Sequence, residues 1–208
     1  MDRAIVFIDG QNLYCAAKDA FAYTYPNYDV KLLSQYVCSL RGWSLSDTHF
    51  YTGIPDKEDN AFWHAFWALK LSYMGRSGVK IFNRPLRYHN KSWKCPDCLK
   101  VYTFLVGHEK GVDVRIALDV IRLAHEQAYD VAVIFSQDQD LTEVVDEVKR
   151  ISTEQKRLIK VVSVFPLSPT SKNKRGISKV EWIKIDRKIY DSCIDHNNYY
   201  PQGISPLP

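Results

Sequence analysis

The sequence predicts an α/β protein of three layers, a central mostly parallel sheet between helices with a hairpin inserted into it. Three observations carry this. Ala4 to Ile8, Val131 to Phe135 and Lys160 to Phe165 are short, continuous runs rich in β-branched and aromatic residues, the pattern of strands buried on both faces. Helical patterns separate them, as the crossovers of a parallel sheet require. The stretch from Arg84 to Val106 breaks that rhythm with interleaved aromatic and basic residues around Cys95-Pro96-Asp97-Cys98, which reads as a hairpin.

Taken in order, the first strand at 4–8 is followed by helix candidates at about 11–22 and 29–41. A strand at His49 to Thr52, a helix at about 57–75 and a strand at Val79 to Phe82 precede the hairpin. A helix at about 111–128 leads into the strand at 131–135. Leu141, Val144, Val145 and Val148 then recur at helical spacing, predicting a helix to about Ile151 before the strand at 160–165. Pro166 to Gly176 has Ser, Pro and Lys in place of apolar periodicity and reads as a mobile loop; Val180 to Ile185 is a last strand.

The 208 residues, 46% of them hydrophobic, supply one sizeable core and not two, so residues 1–190 read as one domain. The Pro- and Asn-rich stretch 191–208 reads as a poorly ordered tail. With 28 basic against 24 acidic residues, the net charge of +4 excludes a uniformly basic nucleic-acid coat but not a local basic patch. No run approaches the roughly 20 apolar residues that span a bilayer, and the N-terminal apolar run is too short for a signal peptide. Five unevenly spaced cysteines do not make a secreted disulfide framework. A cytoplasmic protein without a membrane partner is the expectation.

The acids are the most informative residues. Asp9 directly follows the first strand, and Asp138 follows Phe135-Ser136-Gln137 at the end of another, with Asp140 two residues on. Ligands of open parallel sheets bind outside the carboxyl ends of the strands, so these acids can converge despite their separation in sequence. Asp113 sits in Glu109-Lys110-Gly111-Val112-Asp113 at a helix start. Singly, each also reads as a helix cap or turn residue; jointly they are harder to explain that way. Crowded carboxylates repel, and a divalent cation relieves the conflict. Oxygen-only ligands favour Mg²⁺ or Mn²⁺, which activate water and stabilise charge on a phosphoryl oxygen. Asn12 is placed to orient a water or hold a phosphate, and Gly10 permits close backbone approach. Asp119, about 120° around the helix from Asp113, reads as a residue that supports the metal ligands from behind or makes a salt bridge.

Ile5-Val6-Phe7-Ile8-Asp9-Gly10-Gln11-Asn12-Leu13, Lys110-Gly111-Val112-Asp113 with Asp119, and Ser136-Gln137-Asp138-Gln139-Asp140-Leu141 resemble the three motifs of NYN-domain proteins, in order over roughly residues 3–165. These belong to the PIN-like nuclease superfamily, and the chain looks like its bacterial LabA-like branch. The resemblance implies a PIN-like, Rossmann-like fold and a metal-dependent ribonuclease acting on RNA. Asp9, Asp113 and Asp138 would bind one or two Mg²⁺ or Mn²⁺ ions, with Asn12 and Asp140 in support. Gln137 and Gln139 depart from the family pattern Ser-Gly-Asp-Ser-Asp, and Gln137 would narrow the site. The alternative is a catalytically weak RNA- or nucleotide-binding regulatory module. A phosphatase reading of Phe7-Ile8-Asp9-Gly10 lacks the second Asp it needs, because Gln11 and Asn12 follow.

Cys95 and Cys98 have the spacing of half a zinc site, which His89 and His108 would complete. Arg84, Arg87, Trp93 and Lys94 in the hairpin, with Lys110, offer cations for phosphates and a ring for bases. Lys172, Lys174 and Arg175 would close over RNA from the mobile loop. In the helix at 57–75, Phe62, Phe66, Leu69 and Tyr73 form a core stripe. Trp63, Trp67 and Lys70 beside it make the helix apolar around its girth, a side expected to meet either another subunit, as in a homodimer, or the 84–106 hairpin.

Overall fold

A computed structural model describes residues 1–201 of the protein; the part of the expected tail at 202–208 lies outside the described residues. The chain runs β1 (Arg3–Asp9), α1 (Gly10–Phe21), α2 (Val30–Leu40), β2 (Ser44–Ile54), α3 (Ala61–Arg76) and β3 (Lys80–Pro85). The hairpin β4 (Arg87–Lys94) and β5 (Val101–His108) follows. The remainder is α4 (Val112–His125), β6 (Val131–Phe135), α5 (Thr142–Glu154), β7 (Lys160–Pro166), β8 (Glu181–Ile185) and α6 (Arg187–Asp191). Six strands form one sheet in the order β3-β2-β1-β6-β7-β8, and every neighbouring pair is parallel. Among the described residues β4 and β5 pair only with each other, antiparallel. Both the parallel sheet and the inserted hairpin match the expectation.

β1 is buried along its length because it lies between two layers. Ala4, Val6 and Ile8 face a core shared with α1, α2 and α3; Ile5 and Phe7 face a second core shared with α4 and α5. Asp9, Asp29 and Asn60 start the helices of the first layer by accepting from the backbone N–H of Asn12, Leu32 and Trp63 at 2.9, 2.9 and 3.1 Å. Gly10 is required by packing. A Cβ there would stand 2.5 Å from the Phe50 ring and 3.0 Å from the Tyr51 carbonyl. Among the described residues no helix is long and apolar enough to cross a membrane.

Three expectations change. In α3 the buried residues are Phe62, Phe66, Trp67, Lys70, Leu71 and Met74, whereas Leu69 and Tyr73 are exposed. The expected core stripe is therefore rotated, and residues 194–200 are the reason. Tyr199 and Tyr200 lay their rings on Phe66 at 5.9 and 6.1 Å, and Ile194 bridges to Tyr28. The C-terminal segment thus covers Phe66 and Lys70, while Trp67 packs on the Phe50 ring at 6.0 Å. Within the described part of the expected tail, Cys193 and Tyr199 are buried.

The segment 166–176 is also fixed. Ser171 is buried, and the Lys172 N–H donates to Asp19 Oδ2 at 2.7 Å. The Gln137 side-chain amide donates to the Arg175 and Asn173 carbonyls at 2.9 and 3.3 Å, and that of Gln139 to the Gly176 carbonyl at 2.8 Å. The two glutamines fasten this loop to the end of β6. Replacing both with Ala is expected to speed tryptic nicking at Lys172, Lys174 and Arg175, since it leaves carbonyls unpaired at about 1–3 kcal/mol each. An unchanged nicking rate would show that the loop is held by other contacts.

Candidate active site

The sheet order explains why distant acids meet. From β1 the chain builds outward to β2 and β3, then returns to place β6 on the other side of β1. The crevice at such a reversal opens at the carboxyl ends of the strands. Asp9 ends β1 and Asp138 lies just past β6. α4 returns between β5 and β6, so its first turn carries Asp113 to the same edge. The three aspartates line one cleft of about 610 Å³ with Gln11, Asn12 and Glu109.

Asp9 is 8% exposed and caps α1 through the Asn12 N–H. Burial, reinforced by the charges of Asp138 and Asp113, pushes its carboxyl up to about 6 despite the bonds from the Asn12 and Gln11 N–H groups. Asn12 accepts from the Gln137 N–H at 3.0 Å through its side-chain oxygen. It therefore ties the end of β1 to the end of β6, leaving its amide NH₂ as the end available to water or phosphate. Asp138 accepts from the Asp140 N–H at 3.0 Å, while its own N–H donates to Ser136 Oγ at 3.1 Å. Asp9 and Asp138 are thus helix caps as well as cleft acids, because the same turn geometry serves both. Asp140 is exposed and does not line the cleft. Gln137 does not narrow the site, because its side chain turns toward the 173–175 loop.

Glu109 is the acid that sequence reasoning missed as a site residue. It accepts from the Gly53 N–H, and burial followed by repulsion from Asp9 raises it to about 7. Gly53 makes room for it, since a Cβ there would stand 2.8 Å from Glu109 Oε2. The available signal was its place beside the Lys110-Gly111 turn, four residues before Asp113. Gly111 has φ +79, a conformation that opens α4 without a side-chain cap. Asp119 lies outside the cleft. Burial pushes its pKa up, but bonds from Arg115 at 2.9 Å and the Tyr51 hydroxyl at 3.0 Å outweigh that and hold it below the usual carboxylate range. The salt-bridging expectation holds.

Among the described residues no group of three or more His, Cys, Asp or Glu side chains is arranged to hold a metal ion by itself. The aspartates share an open cleft without closing into a ligand set. Their chemistry nonetheless suits Mg²⁺ or Mn²⁺: all donors are oxygens, Mg²⁺ keeps several waters and takes few carboxylates, and the buried Asp9 is opposed only by like charge.

The expected zinc quartet is not assembled. His89 and His108 pair with Val106 and Arg87 near the base of the hairpin, whereas Cys95 and Cys98 are at its tip. Six residues of extended chain, about 20 Å, part His89 from Cys95, and His108 instead lines the acidic cleft. Two thiols cannot close a tetrahedral site. The purified protein is therefore expected to carry no stoichiometric zinc, and Cys95→Ser with Cys98→Ser to leave the melting temperature unchanged. Bound zinc lost in that variant would contradict this.

Of the expected RNA contacts, Lys110 lines the cleft. Arg84 stacks on the Phe82 ring at 5.2 Å and reaches Gly111, beside the turn that presents Asp113. Arg87, Trp93 and Lys94 are exposed on the hairpin, and Lys172, Lys174 and Arg175 are exposed on the fixed loop without lining the cleft.

A family model described as the NYN domain matches residues 3–170. No curated protein matches the chain. Among solved structures, a Vibrio parahaemolyticus protein of unknown function superposes with TM-score 0.50 at 18% identity, covering 89% of this chain and 94% of that one. MurG of Acinetobacter baumannii overlaps more loosely, with TM-score 0.34 at 7% identity over 88% of this chain and 45% of that one.

Proposed function

The chain belongs to the NYN-domain family, and from that premise we propose that it is a divalent-metal-dependent endoribonuclease hydrolysing RNA phosphodiesters in the acidic cleft. The family is PIN-like and nuclease-type; the metal, the RNA substrate and the residue roles are the proposal. The observation that carries it is the convergence of Asp9, Asp113 and Asp138 at the reversal point of the sheet, with Asp9 buried and raised to about 6 by burial and by the other two.

Asp9, Asp113 and Asp138 would hold the Mg²⁺ or Mn²⁺. When bound, such an ion supplies charge stabilisation at the phosphoryl oxygens and acidifies water. The chain's residues do the rest. Asn12 fixes the spacing of the β1 and β6 ends through the Gln137 N–H. Asp140 acts through its backbone N–H, which orients the Asp138 carboxylate. Lys110 offers a cation to a phosphate at the cleft wall. Glu109, raised to about 7, is a carboxyl able to hold or release a proton near neutral pH.

The test is cleavage of single-stranded and structured RNA with Mn²⁺, Mg²⁺ or EDTA by the parent and by Asp138→Asn. Cleavage is expected only with metal and is expected to fall about 10³-fold in the variant. Metal-independent cleavage, or full activity in the variant, would overturn the mechanism.

A further inference from the structure

Among the described residues the hairpin pairs with no other strand, and the nuclease reading leaves its register unused. Side chains alternate across a ribbon, and directly paired residues share a face. Arg87 with His108, His89 with Val106, Lys91 with Phe104 and Trp93 with Tyr102 therefore stand on one face. Ring contacts agree, His89 with His108 at 6.1 Å and Trp93 with Tyr102 at 6.0 Å. The opposite face carries the Ser92–Thr103 hydroxyl contact at 3.2 Å, with Lys94 and Leu105. Its one ring, Tyr88, accepts from the Asp56 N–H at 2.9 Å and is thereby tied to the domain.

We propose that the face bearing Arg87, Lys91, Trp93, Tyr102 and Phe104 is a track that leads single-stranded RNA into the acidic cleft, a reading that rests on the nuclease function for its substrate. Three observations carry it. Trp93 and Tyr102 are 50% exposed and Phe104 45%, so their rings are free to stack. Arg87 and Lys91 share that face with them, Lys91 directly beside Phe104 and one step from the Trp93–Tyr102 pair, so cations for phosphates stand among rings for bases. His108 belongs both to this face and to the lining of the cleft, so the track runs into the site without a break.

The charges explain why a track is needed. The cleft repels phosphates through its carboxylates, and cations outside it must hold the strand in place. A duplex is excluded as the fitting ligand, because its stacked bases cannot present their faces to protein rings. β4 spans Arg87–Lys94, about 23 Å at the rise of a strand, room for on the order of four nucleotides.

Binding of labelled RNA in EDTA tests this without cleavage, using the full chain with a dinucleotide, an octanucleotide and a perfect duplex. The octanucleotide is expected to bind best. Trp93→Ala with Phe104→Ala should weaken it by tenfold or more, on the order of what lost base stacking costs. Lys91→Glu should reduce the salt dependence of binding. On the opposite face, Asn90→Ala and Leu105→Ser, a directly paired couple, should change affinity by less than about twofold. Equal losses from both faces, or a duplex bound as tightly, would overturn the track. So would a light-scattering mass of two copies that Trp93→Ala with Phe104→Ala reduces to one while RNA is not bound, since the face would then serve self-association. The outcomes stay separate from the nuclease question: face-dependent binding without metal-dependent cleavage would retain the track and remove the enzyme.

Discussion

Asp9→Asn is expected to abolish RNA cleavage while raising the melting temperature of the metal-free protein. The substitution keeps the shape of the side chain and the cap on α1, because Asn accepts from the Asn12 N–H as Asp does. What it removes is a charge buried beside two other carboxylates. The folded-state pKa of Asp9, about 6, lies above its ordinary value. Its favourable contribution is therefore complete below the unfolded value and is lost as pH rises through about 6. At pH 7.5 in EDTA the ionised group costs about 2–3 kcal/mol, which for a chain of this size corresponds to roughly 5–10 °C. Melting curves in EDTA should show the variant above the parent at pH 7.5 and the gap closing toward pH 5. Saturating Mn²⁺ or Mg²⁺ should raise the parent more than the variant. A variant that melts below the parent at pH 7.5 would mean that the ionised Asp9 carboxylate stabilises the fold.

Lys70→Met is expected to be the most damaging single change away from the cleft. Lys70 is 1% exposed, and its ammonium donates to Asp195 Oδ2 at 2.7 Å and to the Tyr28 carbonyl at 3.0 Å. It also lies 4.8 Å from the Tyr199 ring centre. Burial pulls the Lys70 pKa down, and the bond to Asp195 works against that. Asp195 is pushed up by burial but held below the usual range by Lys70. Removing one partner of such a pair leaves a buried charge and costs about 3–5 kcal/mol, on the order of 10 °C of melting temperature. Because the pair fastens the 194–200 segment onto α3, the variant should also be cut faster by proteases in that segment. The double change Lys70→Met with Asp195→Asn should recover part of the loss, since no charge remains unpaired. A single variant melting within a degree or so of the parent would show that the pair carries little stability.

The fold was largely readable in the sequence because buried parallel strands write themselves as unbroken apolar runs. Ala4 to Ile8 became the core of β1, bounded by Arg3 and Asp9, and Val131–Phe135 became β6 with its predicted bounds. β2 was harder to read. Only its second half is buried, so Ser44 to Thr48 lacked the apolar run that marked His49 to Thr52. The α3 stripe was misjudged for the converse reason: a helix packed on the sheet and under a returning tail is apolar around most of its girth, and helical period cannot say which side is covered by what.

At the site, the sequence by itself determined that Asp9, Asp113 and Asp138 stand at a strand end or helix start, because strand runs and turn residues are local signals. The tertiary structure decided that these positions share one cleft, since strand order is set by pairing over long distances and leaves no local trace. It also decided three roles that composition could not. Glu109 joins the acids because Gly53 leaves room for its carboxylate. Gln137 and Gln139 turn outward because the backbone carbonyls of the 173–176 loop need donors. His89 and His108 are kept from the cysteines by the length of a β-ribbon. Each of these depends on which atoms meet across the fold, which is fixed by packing and by the demand that buried polar groups find partners.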